Sequence, residues 1–498
     1  YQEQHEPSIA SLDDGGFIVT WQSNYQDGDN HYYNIYAQRF DDAASPVGDE
    51  FMVNVDRTIR DQHTPSVADL GNGDFVITWS DEYTNSRSSE LGSGYDNSGW
   101  AVFGQKFTTS DSGGNAVETP ITSGNLFQVN STTSGTQYNS EGGESVSGFS
   151  DGGFVVTWED SGKDGSGYGI YAQRYKADGG KDGSEFRVNT YKSGDQHNPE
   201  VTVLDGDKFI VTWGDETTHA NRPGNDKSGW AVEGQMYNAD GTPLGDQFQV
   251  NTYTGSTQSR PSVASLGSDG FVVTWQSSGQ DGSSYGIYGQ RYSNEGAPQG
   301  GEFQVNTQTY QNQLDPSVAL LHDGSFVVTW EGNYQDSGGS SDYGIFSQHF
   351  NADGTKAGDA KLVGGSGDET LVFDAAQDGL AIDLGDGIDT LTLGDGDDNV
   401  AVANTETVNL GKGNDTAIVT GENEAHQTDV VKLSGTIETG DVYTVTVNAT
   451  KASYRVADGD TMTDVQGGLI AALNKGAGDA VVVTAGTASD EIVIRAGA

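Results

Sequence analysis

Six times along the chain an aromatic residue, a β-branched run and a tryptophan follow one another: FIVTW at Phe17, FVITW at Phe75, FVVTW at Phe154, FIVTW at Phe209, FVVTW at Phe271 and FVVTW at Phe326. The cleanest copy, PSVASLGSDGFVVTWQSSGQDGSSYGIYGQRYSNEGAPQGGEFQVNT from 261 to 307, holds four strand-like runs separated by polar, Gly-rich stretches. PSVASL is bounded by Pro261 and Gly267. GFVVTW alternates Phe271, Val273 and Trp275 with Val272 and Thr274, so neither face is strongly polar and both are expected to meet neighbouring sheets. YGIYGQRY and EFQVNT complete the unit. The linkers SDG, QDG and NEG supply the glycines and carboxamides that tight hairpins need for positive backbone dihedrals. Each copy predicts a small four-stranded antiparallel sheet. A lone sheet of about 50 residues that is apolar on both faces cannot cover itself, and stacking like sheets radially gives a β-propeller.

Copies begin near Pro7, Pro65, Glu144, Pro199, Pro261 and Pro316. A glutamine precedes each start, at Gln4, Gln62, Gln137, Gln196, Gln258 and Gln313, and another lies in every third strand, at Gln38, Gln105, Gln173, Gln235, Gln290 and Gln348. Repeated glutamines invite a ligand site. The simpler reading is that a carboxamide recurring at one place in every unit satisfies loose backbone groups at a turn or sheet edge. Copies two and four differ from the rest by long polar loops from Asp81 and Asp215, which bring the extra tryptophans Trp100 and Trp230. These two residues are the candidate ligand loops, although the loops fit plain insertions equally well.

Near Lys361 the pattern breaks. GGSGDETLV, LGDGIDTLT, LGDGDDNVA and LGKGNDTAI, starting at 364, 384, 393 and 410, fit one nine-residue frame. This frame resembles the G-G-x-G-x-D-x-U-x nonapeptide of the RTX, or haemolysin-type, calcium-binding proteins. The resemblance implies a parallel β-roll in which Asp carboxylates and turn carbonyls of successive coils hold calcium, a hard cation suited to oxygen ligands. It places Asp389, Asp398 and Asp415 at the ligand position, with Glu369 replacing Asp in the first repeat and Asp386 and Asp395 in the adjoining turns. Leu371, Leu391, Val400 and the weaker Ala417 take the core position, and the intervals 375–383 and 402–409 are degenerate. The four-strand repeat also resembles one found in large secreted bacterial proteins of the same class. From about Gln427, strand-like VVKLSGTI, DVYTVTVNAT and KASYRVA precede a helical spacing at Val465, Leu469, Ile470 and Leu473, with Asp460 or Thr461 as N-cap and Gly476 as stop. AVVVTAG and EIVIRAG then return to strand. This part resembles modules strung along bacterial surface and adhesin-like proteins.

The fold expectation is therefore all-β and multidomain: a six-bladed β-propeller of four-stranded repeats over 1–363, a short RTX-like parallel β-roll over 364–426 and a small C-terminal α+β module over 427–498. Composition agrees, with 33% hydrophobic residues and 71 glycines in 498 positions, as thin repeated cores require. Against 24 basic residues stand 73 acidic ones, a net charge of −49 that repels nucleic acid and anionic lipid and favours cations. The acidity also serves to keep a repeat surface soluble. With no cysteine there are no disulfides, and no apolar run approaches membrane-spanning length. Tyr1 lies where a preceding VNT would have ended, which predicts a longer precursor.

Catalytic signatures were weighed in turn. The Asp-box S-x-D-x-G-x-x-W of sialidase-type propellers is not matched by SDGGFVVTW at Ser150. Arg39, Arg174 and Arg291 recur at one repeat position and so read as structural, and His5, His63 and His197 occupy equivalent turn positions. No H-E-x-x-H, G-x-S-x-G or phosphate loop occurs. Asp27, Asp164, Asp281 and Asp336 recur after the tryptophan strand, first of all as Asp-Gly turn signals and secondly as calcium candidates. The resulting expectation is a non-catalytic, extracellular, calcium-binding structural or adhesive protein of a bacterial surface, filament or matrix. Its partners are expected to be further copies or other surface-layer components, without nucleic acid or membrane insertion. The alternatives are a glycan-binding propeller and, third, a polysaccharide-active enzyme.

Overall fold

The computed structural model describes the chain from Gln4 to Ala496 outside the segments 14, 25–31, 43, 55–60, 72, 84–98, 111–115, 123–125, 132–134, 141–142, 217–228, 308, 310, 322–323, 336–340, 358–359, 364–369, 373–377, 384–389, 393–398, 404–406, 411–415, 421–427, 434–441, 448–449, 456, 458–459, 477–480 and 486–490. Over 83, 110, 116–122, 333–335, 341–343, 360–451, 462 and 474–496 the description is of the backbone. Six four-stranded antiparallel blades form a β-propeller, as the repeat predicted. Blade 3 shows the pattern: Gln137–Tyr138 and Val146–Gly148 make a divided first strand, followed by Phe154–Ser161, Tyr168–Tyr175 and Lys181–Arg187. The chain divides into two compact units, one of Tyr1–Gly282, Gly286–Gln304 and Asp315–Phe326, the other of Ser283–Tyr285, Val305–Leu314 and Val327–Ala498.

The core lies between blades. Val155, Ile170 and Ala172 of blade 3 pack against Phe209, Val211 and Trp213 of blade 4, all buried. The same arrangement joins Ile18, Ile35 and Ala37 to Phe75, Ile77 and Trp79 one blade earlier. Along blades 2 to 4 one face of the FVVTW run therefore covers the preceding blade, and its other face receives the next. Within a blade the leading aromatic stacks on its cross-strand partner, as in Phe154 on Tyr175 at 4.6 Å and Phe209 on Tyr237 at 4.8 Å.

Both sets of glutamines have structural tasks. The register between third and fourth strands slips between Ala172 and Arg174, and between Gly234 and Met236, which leaves Gln173 and Gln235 at bulges. There Gln173 Nε2 donates to Arg174 O at 2.8 Å, and Gln235 Nε2 to Met236 O at 2.9 Å. The first-strand glutamines join blades. Asn189, at the end of blade 3, accepts from Ile170 N at 2.9 Å and donates from Nδ2 to Gln196 Oε1 of blade 4 at 2.8 Å. Equivalent pairs are Asn54 with Gln62, Asn130 with Gln137, Asn251 with Gln258 and Asn306 with Gln313. Arg174 adds a further tie, reaching Asp182 at 2.8 Å within its blade and Asp240 O of the next blade at 2.9 Å.

After the propeller repeats, parallel pairing begins. Ala360–Val363 pairs antiparallel with the third strand of blade 6 and parallel with Asp378–Asp383, and that ladder continues through Asn399–Ala403 and Thr416–Thr420 to Val442–Val447. A second parallel ladder runs through Thr370–Val372, Thr390–Thr392, Thr407–Leu410 and Thr428–Leu433. Leu371 pairs with Leu391 in the second ladder, and Val400 with Ala417 in the first. The intervals that break the nine-residue frame still supply strands. The C-terminal strands extend the same two sheets, Thr450–Arg455 on one and Glu491–Ala496 on the other. The helix Met462–Gly476 starts at Thr461, whose N–H donates to Asp464 Oδ2 at 2.8 Å, and it buries Val465, Leu469 and Leu473. Among the described residues no helix is long and apolar enough to cross a membrane.

Two substitutions test these assignments. Asn189→Ala strips a buried N–H and a buried carboxamide of their partners and is expected to cost about 2–3 kcal/mol in urea unfolding followed by tryptophan fluorescence. A loss below about 0.5 kcal/mol, the size of an ordinary surface change, would remove the latch from the account. At Gly468 an added methyl group would lie 2.0 Å from the Tyr454 ring, so Gly468→Ala is expected to destabilise the helix-bearing part. The expected cost is about 1–3 kcal/mol, read as lost amide-exchange protection across Met462–Gly476.

Candidate functional site

First strands carry a bulge immediately before the proline of each regular copy. Pairing slips between His63 and Ser66 and between His197 and Glu200, and the residue ahead of the proline takes a positive φ, 53° at Thr64 and 54° at Asn198. Proline has no N–H to lose at such a place, and a bulge re-aims the side chains beside it. The N–H freed at the bulge goes to the residue after the tryptophan of the preceding blade. Thr64 N donates to Gln22 Oε1 at 3.1 Å, and Asn198 N to Glu159 Oε1 at 2.7 Å. His5, His63 and His197, expected at turns, therefore lie within strands, just ahead of the bulge.

These histidines belong to an aromatic belt. His5 meets Tyr33 at 6.1 Å, Tyr33 meets His63 at 5.1 Å, His63 meets Trp100 at 5.2 Å and Trp100 meets Tyr138 edge-on at 5.2 Å. A second stretch runs from Tyr168 to His197 at 4.8 Å and on to Trp230 at 5.4 Å. Trp100 and Trp230 each follow a glycine of positive φ pressed against the next blade. A methyl group on Gly99 would lie 2.8 Å from Thr136 Oγ1, and one on Gly229 would lie 2.5 Å from Thr257 Oγ1. Only glycine lets the two tryptophans begin their strands there.

Between Tyr138 and Tyr168 the belt is interrupted by a cleft of about 480 Å³, lined by Trp100, Thr136, Tyr138, Glu159, Tyr168, His197 and Asn198. Trp100 forms one wall, and Trp230 backs His197 on the other, so both tryptophans singled out in the sequence flank one site. His197 Nδ1 lies 2.7 Å from Glu159 Oε2. A carboxylate only accepts, so the proton of this bond sits on Nδ1. In blade 1 the neutral Gln22 makes the same contact with His63 Nδ1, at 2.9 Å. The histidine of the cleft thus has a carboxylate where His63 has a carboxamide. Burial, then the charges of Glu159 and Asp195, push the Tyr168 phenol up, so it stays a neutral donor.

Blade 3 departs from the repeat in a second way. Four residues more separate Gln137 from Val146 than separate Gln196 from Val201, and they split the first strand. The first strands of blades 1 to 5 lie against one another and form the inner wall. On that wall Glu144 of blade 3 and Glu200 of blade 4 adjoin. Glu200 is buried, and burial first, then the neighbouring Glu144 charge, hold its carboxyl well above the usual range. Glu200 accepts from Val263 N at 2.9 Å, and also from the Ser262 hydroxyl and Glu144 N–H. Glu144 is open to water but surrounded by protein, which pushes its carboxyl up to about 7. These glutamates and Glu159 were not singled out in the sequence. The available signal was departure from the consensus P-S-V in two consecutive copies.

The proposed calcium ligands Glu369, Asp386, Asp389, Asp395, Asp398 and Asp415 lie outside the described residues, as do Asp27 and Asp336. Asp164 Oδ1 accepts from Ser166 N at 2.9 Å, the bond of an Asx turn.

No family model matches the chain, and no curated protein matches it. Solved structures similar to it include a protein of unknown function from Dyadobacter fermentans, at 10% identity and TM-score 0.44, covering 70% of this chain and 94% of that one. The leech intramolecular trans-sialidase is similar at 9% identity and TM-score 0.42, with coverage of 71% and 69%. An α-L-arabinanase of Penicillium chrysogenum is similar at 12% identity and TM-score 0.42, with coverage of 69% and 92%. Likenesses at this level carry no argument about chemistry. They do correct one expectation, since several propellers of similar fold are glycan-active enzymes and the fold offers no ground for excluding catalysis.

The raised carboxyl of Glu144 sets a pH dependence. Folded, the group holds its proton to about 7, against 4.5 for the ordinary side chain, so its contribution to stability is complete below 4.5 and is lost as pH rises through 7. In chelator, the tryptophan-monitored unfolding midpoint of wild type is expected to fall across this interval, and Glu144→Gln to flatten the decline. Parallel pH profiles for the two proteins would refute the assignment.

Proposed function

We propose that the chain is a glycan-binding propeller that takes an uncharged or amine-bearing oligosaccharide in the cleft between Tyr138 and Tyr168. The observation that carries this reading is the interrupted aromatic belt, in which rings on both sides of a cleft of about 480 Å³ stand beside Glu159, Asn198 and Thr136. Sugar rings offer apolar C–H faces to aromatic side chains and hydroxyls to carboxylate and amide groups, and ligand clefts of some hundreds of Å³ with a few placed polar groups suit such molecules. Among the described residues no lysine or arginine lines the cleft, and a net charge of −49 repels uronate or sulfated chains. An ammonium group would find Glu159 and the aromatic faces of Trp100 and Tyr168.

The setting is a second proposal. The Gly-Asp frame from 364 supports a calcium-dependent roll held by Glu369, Asp386, Asp389, Asp395, Asp398 and Asp415, in an extracellular layer or matrix with further copies or surface components as partners. The glycan site would then anchor that layer.

Calorimetric titration of the full chain with neutral, amino and uronate oligosaccharides tests the cleft. Trp100→Ala and Tyr168→Ala are each expected to weaken the best neutral or amino ligand about tenfold, or 1.4 kcal/mol, at unchanged thermal stability. Undiminished binding in both variants, or preference for uronates, would count against the site. Release of reducing ends in the same samples would extend the reading from binding to hydrolysis.

A further inference from the structure

We infer that the junction of blades 3 and 4 on the inner wall is a site for a hard divalent cation, held by the carboxylates of Glu144 and Glu200 and the hydroxyl of Ser140. Four copies start with proline, serine and a β-branched residue: Pro7, Ser8 and Ile9; Pro65, Ser66 and Val67; Pro261, Ser262 and Val263; Pro316, Ser317 and Val318. The two that depart do so with glutamate, Glu144 in place of proline and Glu200 in place of serine. They are consecutive copies, and the two departures meet, since Glu200 accepts the Glu144 N–H.

The ordinary serine has a known task. Ser8 Oγ accepts from Val67 N at 3.2 Å and Ser262 Oγ from Val318 N at 3.2 Å, each tying one blade to the next. Glu200 Oε2 performs this task for Val263 N at 2.9 Å, so the tie itself does not call for a carboxylate. Oε1 is an oxygen that serine would not bring. It faces the inserted segment of blade 3, where a methyl group on Gly143 would lie 2.8 Å from Glu200 Oε1 and 2.6 Å from Ser140 Oγ. The two oxygens converge on one side of that glycine. Ser140 is 3% exposed, and its hydroxyl has no hydrogen-bond partner among the described residues. A buried hydroxyl in that state is costly unless something accepts or coordinates it.

Glu144 supplies the second carboxylate and the way in, because it is exposed to water beside the buried Glu200. Two carboxylates and a hydroxyl form an oxygen-only donor set of charge −2, which selects calcium or magnesium over soft metals, and the chain's acidic field concentrates cations. No three Asp, Glu, His or Cys side chains gather among the described residues, so water and main-chain carbonyls complete the coordination. A bound cation would clamp blade 3 to blade 4 where the first strand of blade 3 is split.

Terbium, a luminescent stand-in for calcium, separates this site from the Gly-Asp frame. All eight tryptophans lie between Trp21 and Trp330, none lies in the frame, and Trp158 and Trp213 stand in the second strands of blades 3 and 4. Trp330 stands in the blade 6 sheet that the frame strands continue, so the variants, rather than emission alone, assign the signal to the junction of blades 3 and 4. The expected result is a saturable signal displaced by calcium, with affinity lowered at least tenfold by Glu200→Gln or Glu144→Gln, severalfold by Ser140→Ala, and unchanged by Asp164→Asn. Ser140→Ala removes a hydroxyl with no hydrogen-bond partner among the described residues, so it keeps the test decisive if Glu200→Gln fails to fold. Absence of sensitised emission in wild type, equal affinity in the Glu144, Glu200 and Ser140 variants, or loss through Asp164→Asn would each overturn the site.

Discussion

Between the last strand of one blade and the first strand of the next stands a buried carboxamide pair, Asn189 with Gln196 in blades 3 and 4 and its equivalents at the other joints. Asn189 accepts from the third strand of its own blade and donates to the next blade, and neither it nor Gln196 is exposed to water. A carboxamide carries a donor and an acceptor on separate atoms without charge, whereas an ion here would meet a desolvation cost and an apolar residue would strand both partners. The pair bridges the same two blades whose Val155, Ile170 and Ala172 pack against Phe209, Val211 and Trp213. The apolar faces supply the non-directional stabilising area, and the joint supplies direction.

On this regular frame, symmetry separates scaffold from chemistry. Whatever recurs in every blade, such as the bulge glutamines and the leading aromatic stack, answers a need of the backbone that recurs too. Chemistry has to come from what does not recur. His63 with Gln22 and His197 with Glu159 share one geometry, but the second pairs the histidine with a carboxylate, and there the aromatic belt opens into a cleft. The split first strand and the pair Glu144 and Glu200 belong to the same region of blades 3 and 4.

Pattern alone specified much of this molecule. Alternation of Phe154, Val156 and Trp158 with Val155 and Thr157 predicts a strand with two buried faces, and both faces are buried between blades. The resemblance of the Gly-Asp frame implies short parallel strands, and the spacing of Val465, Leu469 and Leu473 predicts a helix, a local period readable because burial on a helix repeats with backbone geometry. Trp100 and Trp230 stood out as residues beyond the repeat, and they do flank one cleft. What only the tertiary structure decided is which non-recurring residues become neighbours. Glu144 and Glu200 are 56 positions apart and Tyr138 and Tyr168 are 30 apart, separations at which sequence carries no distance information. Those distances are set by blade stacking, through carboxamide joints and interleaved apolar faces. A departure from the consensus is therefore visible in the chain, whereas its meaning depends on which blade lies beside it.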